Sequence, residues 1–394
     1  MRVFAAVVAG LLGAVVVPVS PGWAAQCLGA GVAVSGVPAE LRAYSPERLA
    51  GLATGAGVRV AVVDSGVDVR NPQLKGQVVA GRDLLHGAVD GRRDCVGHGT
   101  AVAGIIAGLP DGDSGVRGLA PGATVIPVRV TEDTDTKGQQ QIPRSRSSAD
   151  AFAEAIRWAA GPANADVINI SLVMADPDPA VRDAVAEAVR AGVVVVAAAG
   201  NGGADAGVVY PAAFPGVIGV GAVKPDGVLA DYSQPGPHVD IAAFGDQVTV
   251  LSPVRGYRSV QGTSFAAPFV SATAALLRER FPRDSAGQIA DRLLRSADPA
   301  PGGARSAQYG VGLLDPYRAL TEESGPVVAA VPETSAVPVA VPDRGPAWER
   351  AGLFAAGGAG LAVVAGLVAA VVAGGRRRGW RAAQDTHRHD QMPG

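Results

Sequence analysis

The sequence predicts an α/β fold, a doubly wound parallel sheet with helices on both faces, plus one C-terminal transmembrane helix. Three observations carry that prediction. Between residues 58 and 320, short β-branched runs alternate with stretches of helical period, the pattern of parallel strands joined by crossover helices. The 394 residues are 48% hydrophobic yet only 5% aromatic, with 53 Gly and 29 Pro, so the core is built of Ala, Val, Leu and Ile between many tight turns. A later run, 351–375, contains no charged residue. Lys and Arg number 34 against 36 Asp and Glu, a net charge of −2 that provides no global positive field for a polyanion and argues against nucleic acid as a partner.

The elements follow in order. Val58-Arg59-Val60-Ala61-Val62-Val63 is a strand ending at Asp64. Residues 149–160 place Phe152, Ile156 and Ala159 at helical spacing, and 166–170 follow as a strand. Residues 179–191 repeat the helical pattern with Val181, Val185, Ala188 and Val189, and 193–199 make the next strand, so these are consecutive βαβ units. A further strand covers 217–223, and a helix over 264–280 has the Ala and Phe content of a buried element. In such sheets function gathers beyond the carboxyl ends of the strands, which directs attention to Asp64 and to Asn201 after the 193–199 strand.

The ends of the chain bound a domain plan. Met1-Arg2, an uncharged stretch over 3–19 and the small residues around Gly22 and Ala24 fit a signal peptide over 1–24; an uncleaved anchor is the alternative, and both export the chain. Residues 25–57 are too few for a separately folded prodomain and form a retained N-terminal extension. The main folded domain spans 58–320, and the Pro-rich 321–350 reads as an extended stalk. As a helix, 351–375 is about 37 Å long, enough to cross a hydrocarbon core of roughly 30 Å. Arg376, Arg377, Arg378 and Arg381 mark its cytoplasmic side, which makes 376–394 a cytoplasmic tail and puts the main domain outside the cell membrane. His387 and His389 in that tail lack the further ligands of a closed metal site.

Chemistry concentrates in four segments: Asp64-Ser65-Gly66, Gly97-His98-Gly99-Thr100, Gly200-Asn201-Gly202 and Gly262-Thr263-Ser264-Phe265-Ala266. A serine hydroxyl is a poor nucleophile at neutral pH; it needs a neutral imidazole to take its proton and a carboxylate to orient that imidazole. Asp64, His98 and Ser264 supply these groups. The amide of Asn201 can donate to a developing oxyanion beside the backbone N–H of Ser264. Singly, each residue reads as well as a turn residue or helix cap. Together, in the order Asp, His, Ser that subtilisin also uses, they read as a catalytic set.

Over residues 57–320 the sequence resembles the subtilisin-like serine peptidases, and within them the mycosins, membrane-anchored members associated with type VII secretion. The resemblance rests on Val62-Val63-Asp64-Ser65-Gly66-Val67, Gly97-His98-Gly99-Thr100, Gly118-Leu119-Ala120-Pro121, Asn169-Ile170-Ser171-Leu172, Gly200-Asn201, Val239-Asp240-Ile241-Ala242-Ala243 and Gly262-Thr263-Ser264-Phe265-Ala266-Ala267-Pro268. The lead Arg92-Arg93-Asp94-Cys95, the stalk and the anchor point to mycosins. It implies a subtilisin-like fold with a seven-stranded parallel sheet, with His98 as base, Asp64 as its orienter, Ser264 as nucleophile and Asn201 as oxyanion donor. It places substrate along Ser171, Leu172 and Val173, where Val173 stands in place of a common Gly and narrows the first specificity pocket. The implied activity is serine endopeptidase cleavage of a protein or peptide substrate through an acyl-enzyme. The implied partners are the membrane and a type VII secretion membrane complex, with no nucleic acid, no cofactor and no metal. No string of Asp, Asn and Gly forms a calcium loop.

Cys27 and Cys95 are the only cysteines, and an exported location favours their oxidation to one disulfide, which would staple the extension beside the cleft. Two other readings compete. One is a structural component that stabilises a secretion membrane complex, with catalysis secondary; it is compatible with the peptidase. The other, a lipase or esterase, is disfavoured because Thr263-Ser264-Phe265-Ala266 replaces a Gly-x-Ser-x-Gly elbow.

Overall fold

The computed structural model describes residues 27–87, 90–112, 114–132, 141–142, 146–301, 303, 305–322 and 347–379. The expected signal peptide, nearly all of the stalk and the tail beyond 379 lie outside the described residues. Two units are present, Met1–Ser324 and Gly325–Gly394.

In the first unit the chain runs α1 (Ala39–Tyr44), α2 (Pro46–Ala50), β1 (Arg59–Asp64), β2 (Arg82–Asp83), α3 (His98–Ala107), β3 (Thr124–Arg129), α4 (Arg146–Ala160), β4 (Val167–Ile170), α5 (Pro179–Arg190) and β5 (Val194–Ala198). It continues through β6 (Val217–Val223), β7 (Ile241–Phe244), β8 (Val248–Leu251), β9 (Tyr257–Val260), α6 (Thr263–Arg280), α7 (Ala286–Arg295), β10 (Asp298–Pro299), β11 (Gly312–Leu313) and α8 (Pro316–Thr321). The described strands form a nine-stranded sheet in the order β10-β11-β7-β6-β5-β4-β1-β3-β2 and a separate β8-β9 ribbon. Strands β2 to β7 with β1 account for the seven parallel strands expected; β11 extends the sheet in parallel and β10 closes its edge antiparallel.

Because successive strand residues face opposite sides, each buried strand feeds two cores. Val60 and Val62 of β1 belong to one cluster with α3 and α6, while Ala61 and Val63 join Phe152, Ile156, Val181 and Val185 of α4 and α5 in the other. That is why these strands read as unbroken apolar runs. α6 is the central helix, buried on all sides from Thr263 to Leu277, and its Phe269 packs 5.0 Å from the Tyr44 ring. Full burial of a side chain of that size contributes roughly 1.5–3 kcal/mol. The extension is thus part of the core: Leu41 and Tyr44 of α1 are buried in the α6 cluster, and Val32 pairs with Tyr257 at the free edge of β9.

Order matters for function. From β1 the chain crosses by α3 to β3 on one side, then returns by α4 to β4 on the other. The side on which successive strands are added therefore switches at β1, and a crevice opens beyond the carboxyl ends of β1 and β4.

In the second unit, α9 covers Ala347–Arg377, longer at both ends than the predicted 351–375. The first part of that predicted span, 351–361, lies outside the residues whose side chains are described. Among the described residues no helix is long and apolar enough to cross a membrane.

Candidate active site

Asp64 ends β1 in the crevice and is fully buried. Its Oδ1 accepts the Ser65 N–H at 2.7 Å and faces His98 Nδ1 at 2.8 Å. A carboxylate only accepts, so Nδ1 carries the imidazole proton and Nε2 is left as the acceptor. His98 opens α3, which approaches β1 closely because Gly99 has no side chain: a Cβ there would stand 2.0 Å from the Gly66 carbonyl oxygen. Phe265 closes the other side of the imidazole, ring centroids 5.1 Å apart.

Ser264 lies in the first turn of α6, behind Gly262, whose φ of 144° favours glycine and where an added Cβ would stand 3.1 Å from the Asn201 amide nitrogen. The Ser264 hydroxyl donates to the Ser171 carbonyl at 3.0 Å, and His98 Nε2 is buried without a hydrogen-bond partner. Ser264 and His98 are not hydrogen-bonded to each other in this state. Rotation about the Ser264 Cα–Cβ bond is the step that would connect them, as catalytic hydrogen bonds often tighten only with substrate bound.

Asn201 follows β5. Its Oδ1 accepts from both the N–H and the hydroxyl of Thr263, each at 2.9 Å, and the Thr263 hydroxyl accepts the Gly200 N–H at 3.1 Å. With the oxygen anchored, the amide nitrogen is turned toward Gly262, where an oxyanion on the Ser264 side would form. A cavity of about 410 Å³ begins there, lined by Asn201, Gly202, Gly203, Asp231, Tyr232, Gln261 and Gly262.

Ser171, Leu172 and Val173 continue β4 into the crevice, all with buried side chains. Leu172 packs into the α4–α5 core. The Ser171 hydroxyl accepts from Asn169 Nδ2 at 2.9 Å and donates to the Ser264 carbonyl at 2.7 Å, and Ser271 donates to Asn169 Oδ1 at 2.8 Å. With these three side chains turned inward, it is their backbone that borders the crevice, where the Val173 carbonyl accepts the Ile142 N–H at 3.2 Å. Asn169 and Thr263 stand within quoted motifs but carry no role there, and Ser271 carries no sequence signal, because a buried Ser, Thr or Asn has no periodic signature.

Cys27 and Cys95 form a disulfide with a Cα separation of 4.3 Å, and Leu28 N–H donates to the Cys95 carbonyl at 2.8 Å. The extension is therefore fastened three residues before His98. No group of three His, Cys, Asp or Glu residues that could hold a metal occurs among the described residues.

Residues 55–312 match the Subtilase family, Peptidase_S8. The chain belongs to the subtilase family. This subtilase is 37% identical to Mycosin-4 of Mycobacterium tuberculosis (strain ATCC 25618 / H37Rv), over 83% of this chain and 79% of that protein. Among solved structures it is similar to the MycP3 protease from the type VII (ESX-3) secretion system, at 33% identity and TM-score 0.67, covering 76% of this chain and 93% of the other. It is also similar to a chain of an intact ESX-5 inner membrane complex, at 30% identity and TM-score 0.65, covering 88% and 95%. It is a serine endopeptidase of the mycosin type, linked through these relatives to type VII secretion.

Proposed function

We propose that this subtilase is anchored in the cell membrane, cleaves a protein or peptide substrate on the extracytoplasmic side and works beside a type VII secretion membrane complex. The observation that carries the catalytic reading is the Asp64–His98 hydrogen bond, which leaves Nε2 as a buried acceptor on an imidazole packed against Phe265, the chain neighbour of Ser264. Ser264 Oγ attacks the scissile carbonyl carbon while its proton passes to His98 Nε2, and Asp64 stabilises the imidazolium. Asn201 Nδ2 and the Ser264 N–H donate to the oxyanion. His98 returns the proton to the leaving amine as the C–N bond breaks, and water then hydrolyses the acyl-enzyme by the same steps. When Ser264 turns to His98 it releases the Ser171 carbonyl, which becomes an acceptor for a substrate N–H along Ser171, Leu172 and Val173.

Support for the anchor comes from the uncharged 351–375 and its Arg flank, and from Val363, Val364, Leu367, Val368, Val371 and Val372 of α9, all exposed on a helix with no charged residue between them. Such a surface is uncovered in water and suited to lipid. The wider match to the ESX-5 membrane-complex chain, 88% of this chain against 76% for the isolated MycP3 protease, supports the complex as partner. In this reading 1–24 is removed, 321–350 spaces the peptidase from the bilayer and 376–394 is cytoplasmic.

One experiment tests both parts. A fluorophosphonate should label the full-length protein in the membrane fraction of expressing cells and should not label Ser264→Ala. A chain ending at residue 345 should label equally but leave the membrane fraction. Labelling retained by Ser264→Ala would overturn the nucleophile, and a truncated chain still held in the membrane would overturn the anchor.

A further inference from the structure

Asp94 is a buried carboxylate that the reaction above does not use. It lies on the loop entering α3, four residues before His98. Its Oδ1 accepts the Gly97 N–H at 2.7 Å and the Ser65 hydroxyl at 2.9 Å, and its Oδ2 accepts the Thr100 N–H at 2.8 Å and the Thr100 hydroxyl at 2.6 Å. Ser65 in turn accepts the Gly99 N–H at 3.0 Å. Every donor belongs either to the first turn of α3 and its cap or to the residue that follows Asp64.

A helix cap alone would satisfy amides of its own helix. This carboxylate does that and also reaches across to β1. It joins the two elements that carry Asp64 and His98, through a side chain that contacts neither.

We propose that Asp94 is a positioning residue for the catalytic base: its ionised carboxylate clamps the first turn of α3 to the end of β1 and so sets the Asp64–His98 hydrogen bond. The inference rests on the reading of Asp64, His98 and Ser264 as the catalytic set. Four accepted hydrogen bonds use both oxygens of a carboxylate, and the protonated acid would turn a donor toward donors, so the clamp needs the charge.

The charge is held at a cost. Burial, with Asp64 on β1 adding repulsion, pushes the Asp94 carboxyl up to about 6, against the pull of its hydrogen bonds. Besides Asp64, Arg258 on β9 interacts with it electrostatically. Arg258 donates to the Gly97 carbonyl at 2.6 Å, and its pKa, lowered by burial, is partly restored by the Asp94 charge. A carboxyl raised in the folded state stabilises the fold in its protonated form. That contribution is full below its ordinary value of 3.8 and is lost as pH rises through about 6. Function and stability therefore pull in opposite directions: acidification favours the fold at this residue while it loosens the base.

The test compares wild type, Asp94→Asn and Ser65→Ala, folded by circular dichroism, for peptide hydrolysis and for fluorophosphonate labelling of Ser264 between about pH 4.5 and 8. Asp94→Asn should lower kcat and the labelling rate by about 10–100-fold with KM unchanged, the scale expected for a small misplacement of a catalytic group. The acidic limb of kcat/KM should fall with two protons in wild type and with one in Asp94→Asn, a change that a purely structural carboxylate would not produce. Ser65→Ala should slow labelling less and keep both protons. Wild-type rates with an unchanged acidic limb in Asp94→Asn would overturn the proposal. If Asp94→Asn does not fold, Thr100→Val and Ser65→Ala decide: slowed labelling with unchanged KM in both supports the clamp, and wild-type labelling in both overturns it. Absence of labelling in wild type would overturn the reading of Ser264, and this inference with it.

Discussion

The two halves of the proposed catalytic site are held by different chemistry. The nucleophile half, Ser264 and Asn201, rests on neutral hydrogen bonds among Ser171, Asn169, Ser271 and Thr263, all at the buried centre of the sheet and α6. The base half, Asp64 and His98, rests on a buried charge, Asp94, and on a loop fastened to the N-terminal extension by the Cys27–Cys95 disulfide. Neutral partners do not change state with pH or redox potential, whereas a carboxylate and a disulfide do. The proposed set is thus half insensitive and half sensitive to its surroundings.

Asn201→Ala gives the largest effect among the variants that sharpen this contrast. It removes the amide aimed at the oxyanion and should lower kcat by about 10²–10³-fold, with little change in KM. The loss should be the same at every pH, because no titrating group joins Asn201 to its anchor Thr263. A loss that varies with pH, measured from kcat profiles, would break the division between the halves.

Ser171→Ala comes next. It removes the hydroxyl that bonds the Ser264 carbonyl and leaves the Asn169 amide short of an acceptor, so labelling of Ser264 should slow by about tenfold. Its acidic limb should keep the wild-type proton count, in contrast to Asp94→Asn. A matching loss of one proton in Ser171→Ala would show that the limb does not report on Asp94.

Reduction of the disulfide should have the smallest effect on rate. Residues 27 to 37 should become accessible to an added protease while the core, with Leu41 and Tyr44 buried in it, stays folded. The chain-entropy argument for a 68-residue separation gives an upper guide of about 4 kcal/mol, to be read as a lowered Tm. Any change in labelling should trace to the base, since Cys95 adjoins Asp94 and touches no anchor of Ser264. Equal proteolysis of oxidised and reduced protein would show that the bridge does not hold the extension.

Some of this protein was legible from the amino-acid order alone. The strands over 59–64, 167–170, 194–198 and 217–223 are apolar on both faces and so stand out as short β-branched runs, and α4, α5 and α6 show helical period or unbroken small apolar content. Asp64, His98, Ser264 and Asn201 carry glycine-bounded motifs that mark close approach of backbones. Two cysteines in the chain leave a single intramolecular pairing. By contrast β2, β10 and β11 are two residues long and carry no period, so only sheet pairing defines them. The division of labour within the site also came from tertiary structure. Ser171 reads as substrate wall, yet its hydroxyl meets the Ser264 carbonyl 93 residues away; Asp94 stands in the sequence only as part of the lead into His98, yet it meets Ser65 across 29. Period and propensity are written within about ten residues, the span of one element. The partner of a short buried polar side chain is chosen by how elements distant in sequence come together, and by the cost of leaving that group unpaired in the interior.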